Sequence, residues 1–90
     1  TMYPRFGPTR CVVVNPKTLE EVAPGTVGEV LAETKSVGLG YWGWSDEEND
    51  KEFRAKVVNP VSVPPNSRFL RTGDRGFVYN GFIYIIGRYK

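Results

Sequence analysis

Arg75-Gly76-Phe77-Val78-Tyr79-Asn80-Gly81-Phe82-Ile83-Tyr84-Ile85-Ile86 is the stretch that decides the fold. Asn80-Gly81 separates two alternating apolar runs, and both residues tolerate the positive φ that a two-residue type I′ turn demands. The spacing predicts a hairpin over about 75–87 in which Tyr79 opposes Phe82, Val78 opposes Ile83 and Phe77 opposes Tyr84. Aromatic cross-strand pairs of this kind contribute about 0.2–1 kcal/mol each. A hairpin also returns its two ends to one edge. Asp74, just before the first strand, is therefore expected near Arg88, just past the second.

Upstream of the hairpin the punctuation is also that of a β protein. Arg10 to Asn15 is valine-rich and predicts a strand, ended by an Asn15-Pro16-Lys17-Thr18 turn. A short extended piece, Leu19 to Val22, leads into Pro24-Gly25, the pair that suits a type II turn. Val27 to Glu33 predicts a second strand, with Val27, Glu29, Leu31 and Glu33 on one face and Gly28, Val30 and Ala32 on the other. Ser45-Asp46-Glu47-Glu48 carries a capping box and three acids at the positive end of a helix dipole. It predicts a helix over about 46–55 with Phe53 on its apolar side. Pro60, Pro64 and Pro65 mark Val57 to Ser67 as a loop. The expected fold is mainly β: a small distorted antiparallel β-barrel-like subdomain with one short α-helix, spanning 1–90 as a single unit.

Composition excludes several chemistries. With no histidine and one cysteine, Cys11, the 90 residues hold no intrachain disulfide, no Cys/His zinc site and no imidazole for Ser-His or Cys-His catalysis. Cys11 opens the run Cys11-Val12-Val13-Val14 and reads as a small buried hydrophobe in a reducing, cytosolic setting. No apolar run approaches the roughly 20 residues of a membrane span, and Thr1 to Pro8 lacks the pattern of a signal peptide. A chain this short buries only about 60–65% of its unfolded surface, so its core is modest. Glu29 and Glu33 lie about 13 Å apart along a strand, too far for a retaining-glycosidase pair, and read as solvated or paired charges. Charge is uneven: residues 1–50 carry four basic and eight acidic side chains, residues 51–90 eight basic and two acidic. A basic half suits an anion, or is simply a solvated surface.

Gly38-x-Gly40-x-x-Gly43 matches the bare dinucleotide pattern, but Trp44 and Ser45 separate it from the helix start and no βαβ unit surrounds it. Arg71-Thr72-Gly73-Asp74 is more informative. An ionised carboxylate only accepts hydrogen bonds and can take two from vicinal hydroxyls, as on a ribose. Beside Arg88, Asp74 would join a sugar-binding acid to a phosphate-binding cation. A surface Asp–Arg pair worth about 0–1 kcal/mol is the plainer alternative.

Taken in order, four motifs resemble the adenylate-forming superfamily of acyl-CoA synthetases, luciferases and peptide-synthetase adenylation domains. They are Val27-Gly28-Glu29-Val30, Gly38-Leu39-Gly40-Tyr41-Trp42, Phe69-Leu70-Arg71-Thr72-Gly73-Asp74 and Gly87-Arg88-Tyr89-Lys90, with Val14 to Leu19 as a leading segment. Phe69-Leu70, the hairpin start Gly76 to Gly81, and Phe53-Arg54-Ala55 make the sequence most similar to fatty-acyl-AMP ligases. Arg75 and Tyr89 depart from the usual apolar residues at their positions.

The resemblance implies a parent enzyme that joins a fatty acid to ATP, giving acyl-AMP and pyrophosphate, with Mg2+ as the accompanying ion. The acyl group would then pass to an acyl carrier protein. Asp74 matches the acid on the adenosine ribose, Arg88 the arginine near ribose and phosphate, and Lys90 the basic residue before the hinge. Glu29, Gly40, Tyr41 and Trp42 match structural positions. The phosphate loop and acyl pocket would lie upstream and the catalytic lysine downstream, so no catalytic residue is expected in this segment and the isolated chain is expected to be inactive. Expected partners are the rest of the ligase, the fatty acid and the carrier protein, with no membrane span. The other reading is an independent small β-barrel that binds nucleic acid or another anionic partner, with Phe77, Tyr79, Phe82 and Tyr84 stacking on bases rather than packing.

Overall fold

Asn80 (φ 50°) and Gly81 (φ 80°) both adopt left-handed backbone, and the chain reverses between them as the sequence requires. The structure, a computed structural model, describes residues 2–5, 9–33, 45, 47–48, 51 and 54–89. The turn joins β4 (Phe69–Tyr79) to β5 (Phe82–Arg88), and Tyr79–Phe82, Val78–Ile83 and Phe77–Tyr84 stand opposite each other, in the expected register. β1 (Met2–Pro4), β2 (Cys11–Val14) and β3 (Gly28–Glu33) complete one antiparallel sheet of five strands in the order β1-β5-β4-β3-β2.

The fold is thus mainly β, as expected, but the sheet is open rather than a closed barrel: among the described residues β1 and β2 share no ladder. The outer edge of β2 is covered locally. Val14 bridges Glu21, and the Val22 amide donates to the Val13 carbonyl (3.0 Å), so residues 20–22 lie along that edge, whereas Leu19, the expected start of this extended piece, takes left-handed backbone (φ 62°) and closes the preceding turn on the Asn15 carbonyl. This explains why all four residues of β2 are buried although it stands last in the sheet.

Alternation on β2 and β3 sends side chains to two cores. Val12, Val14, Leu31 and Phe69 pack on one face beneath Val57 and Val63 from the proline-rich loop. Cys11, Val13, Val30, Val78 and Ile83 pack on the other. Cys11 is a buried thiol. Burying a side chain such as Leu31 or Ile83 completely contributes about 1.5–3 kcal/mol.

The turns form for the reasons anticipated. The Asn15 side-chain oxygen accepts the Lys17 and Thr18 amides (2.8 and 3.2 Å), and Gly25 (φ 86°) allows the Thr26 amide to reach the Ala23 carbonyl (3.0 Å). Ser45 and Glu48 make both bonds of the capping box at 3.1 Å, and Glu47, Glu48 and Lys51 are helical. Residues 46, 49–50 and 52–53 of the expected helix, including Phe53, lie outside the described residues, as do Gly38 to Trp44 with Gly40, Tyr41 and Trp42, and Arg54 is not helical. Ala55, the expected helix end, instead exchanges two backbone bonds with Phe69 (2.8 and 2.9 Å). Extended pairing with a sheet edge there outweighs helix propensity.

Candidate functional site

β4 does not run evenly past β3. Leu31 opposes Arg71, whereas Glu29 opposes Arg75, so three β4 residues, Thr72, Gly73 and Asp74, face the single residue Val30. Two surplus residues arch out of the ladder at the Arg-Thr-Gly-Asp motif. Gly73 takes φ 77°, which a residue with a Cβ adopts only at a cost.

The arch is fastened from beneath by Glu29. The residue is 4% exposed, and its carboxylate accepts from Arg71 Nη2 (2.6 Å) and Nε (3.2 Å) and from the Gly73 amide (3.3 Å). Arg71 also donates to the Pro16 carbonyl (2.9 Å). The Thr72 hydroxyl donates to the Val30 carbonyl (2.6 Å) and accepts from the Asp74 amide (3.0 Å). Side-chain bonds therefore stand in for the interrupted ladder, and the buried Glu29 charge is paired.

From the other side β5 closes the arch. Gly76 opposes Ile85 but Arg75 opposes Gly87, so β5 carries one surplus residue at Ile86. Had the hairpin register continued, Asp74 would face Gly87; the bulge brings Arg88 opposite it instead. Arg88 Nη1 lies 3.1 Å from Asp74 Oδ1, while its Nη2 donates to the Thr72 carbonyl (3.1 Å). The Tyr89 amide donates to the Gly73 carbonyl (2.9 Å). Pro16, Glu29, Arg71, Thr72, Arg88 and Tyr89 line an open cleft of about 290 Å3 beside the arch.

Asp74 and Arg88 are thus brought together, and both reach solvent. At 28% and 62% side-chain exposure, their ion pair is worth about 0–1 kcal/mol at most. Lys90 lies outside the described residues. Of the two expected alternatives, solvated or paired, Glu29 is paired, and its burial beneath the motif was not anticipated. The available signal was a lone acid in the apolar run Val27 to Ala32 with arginines downstream. Glu33 is also paired, with Arg10. The hairpin rings neither fill a core nor stand apart: Phe77 and Tyr84 stack on each other at 5.2 Å, and Tyr79 meets Tyr84 edge-on at 6.3 Å.

A second, more apolar hollow of about 460 Å3 lies between Val22, Pro24, Val61 and Val78. Beside it Glu21 accepts from the Val61 and Ser62 amides (2.7 and 3.1 Å), the Ser62 hydroxyl (2.6 Å) and Arg5 (3.0 Å).

No family model matches the chain. Curated relatives do. The long-chain-fatty-acid–AMP ligase FadD26 of Mycobacterium marinum is 43% identical over 83 residues, and the 4-hydroxyphenylalkanoate adenylyltransferase of Mycobacterium tuberculosis is 40% identical over 78. A crystal structure of a fatty acid AMP ligase from Legionella pneumophila superposes on 91% of the chain with a TM-score of 0.70 at 32% identity. The chain belongs to the fatty-acyl-AMP ligase group. It covers 92% of its own length in the Mycobacterium marinum match but only 14% of that relative, and 13% of the Legionella structure. A second Legionella pneumophila structure, of a fatty acyl-adenylate ligase holding acyl adenylate and pyrophosphate, matches with the same TM-score. Among the described residues no helix is long and apolar enough to cross a membrane.

Proposed function

We propose that this chain is one subdomain of a cytoplasmic fatty-acyl-AMP ligase, ending at the hinge, and that it supplies one wall of the nucleotide site. Asp74 accepts hydrogen bonds from the ribose hydroxyls of ATP and of the acyl adenylate. Arg88 offers positive charge toward ribose and phosphate, and Lys90 adds a second cation beside it. The observation that carries this reading is the Asp74–Arg88 pair, set at 3.1 Å by two bulges, with Arg88 lining the open cleft beside the arch. Arg88 Nη1 meets Asp74 at Oδ1, and a carboxylate has about four acceptor sites, so capacity remains for a sugar. The relatives' names support acyl-AMP formation as the reaction.

The rest of the ligase would supply the phosphate-binding and acyl-binding walls, and an acyl carrier protein would take the acyl group. Mg2+ would accompany ATP. Among the described residues no three acidic or cysteine side chains gather to hold an ion, and this proposal assigns the metal to no residue of this chain. The chain matches segments of much larger ligases, which favours this reading over an independent anion-binding module.

The test is Asp74→Ala in the full-length protein that carries the segment. Losing one or two hydrogen bonds to a charged acceptor should raise the KM for ATP about ten- to hundredfold, read by pyrophosphate exchange. Unchanged ATP kinetics would remove Asp74 from the site.

A further inference from the structure

The ribose contact proposed above needs Asp74 in one place, yet Asp74 stands on a surplus arch that the β3–β4 ladder skips, paired only with Arg88 of β5. We infer that Glu29 and Thr72 are the positioning residues of the nucleotide site: together they set the height and tilt of the arch and thereby aim the Asp74 carboxylate. This inference rests on the ribose reading and extends it to two residues that need not touch the nucleotide for the effect.

Three observations carry it. First, Glu29 is buried and spends its acceptors on the arch itself, on Arg71 at one foot and on the Gly73 amide at the crown. A buried carboxylate without such partners would be strongly disfavoured, so the pairing is obligatory rather than incidental. Second, the Thr72 hydroxyl relays Val30 to Asp74: it donates to the Val30 carbonyl and accepts from the Asp74 amide. The backbone of the ribose-binding residue is thereby tied to β3 through one side chain. Third, the arch is bonded to β5 through the Arg88 guanidinium and the Tyr89 amide. A shift of the arch toward or away from β3 therefore changes the Asp74–Arg88 geometry directly. A misplacement of about 1 Å at a reacting or binding group is enough to cost orders of magnitude in rate.

The experiment compares Glu29→Gln, Thr72→Val and Asp74→Ala, singly and as double variants with Asp74→Ala, in the full-length protein. Thr72→Val keeps volume and removes both hydroxyl bonds, so it remains informative if Glu29→Gln fails to fold. Each positioning variant should raise the KM for ATP about tenfold with kcat little changed, the signature of lost binding rather than lost chemistry. Combined with Asp74→Ala, neither should add a further loss, because both act through Asp74. Hydrogen exchange across residues 70–76 should speed by about tenfold in both.

Losses that multiply in the double variants, or an unchanged KM in Thr72→Val while Asp74→Ala is impaired, would overturn the positioning role and leave the ribose contact standing. An unchanged KM in Asp74→Ala would overturn the ribose contact. The aim of the arch is then decided by exchange alone: protection unchanged in both variants would overturn it as well.

Discussion

Glu21 is the residue whose ionisation the fold uses most openly. Burial alone pushes its carboxyl up. The bonds from the Ser62 hydroxyl, the Val61 and Ser62 amides and Arg5 outweigh that, and hold it below its ordinary value of about 4.5. A depressed folded-state value contributes stability that is present above about pH 4.5 and is lost as pH falls through the folded value. Thermal midpoints should therefore fall on acidification below that point, and Glu21→Gln should flatten the dependence while lowering stability at neutral pH. An equally steep acid decline in the variant would assign it to another group. Little of this was legible in the sequence, because Glu21 meets Ser62 across 41 residues and the loop between them has no periodic signal. The nearness of Asp74 and Arg88 was legible, because a two-residue turn returns its flanking residues to one edge; their direct opposition was not, because it depends on the surplus residue at Ile86.

At the scale of elements, two glycines of the hairpin separate conformational strain from collision. A Cβ at Gly81 meets nothing within 4 Å but must sit at φ 80°, so Gly81→Ala should cost about 1–2 kcal/mol. A Cβ at Gly76 would lie 2.3 Å from the Tyr84 carbonyl, so Gly76→Ala must part β4 from β5 beside the bulge and should destabilise by more than Gly81→Ala. Urea unfolding of both variants gives the comparison, and equal costs would mean that β5 yields easily there. The sequence announced the Asn80-Gly81 turn because positive φ has its own residue preferences. It did not announce the bulge at Ile86 or the surplus at 72–74. The surplus is fastened by a carboxylate buried on the neighbouring strand, a contact between residues more than 40 positions apart.

Across the whole molecule, the acidic first half and basic second half are partly complementary: Glu29 from one receives Arg71 from the other. The basic half is therefore less a free anion-binding surface than its composition suggested. The antiparallel β character was readable from alternation and turn residues, whereas closure of the sheet was not, since it depends on edges with no local signature. The chain amounts to 14% of the length of its Mycobacterium marinum relative, and adenylation requires preorganised positive charge around the transferring phosphates. The isolated chain should yield no acyl-AMP from ATP and fatty acid; measurable pyrophosphate exchange by it would contradict that expectation. The two-residue surplus on β4 has a consequence for any natural or engineered length change here. Because two is even, Phe69 and Phe77 keep the same parity on either side of it. Removing both surplus residues would leave Phe69 facing the same core on a continuous ladder and abolish the perch of Asp74, whereas removing one would leave a single-residue bulge of the kind β5 already carries. A paired deletion should therefore leave a folded protein with the proposed nucleotide site impaired.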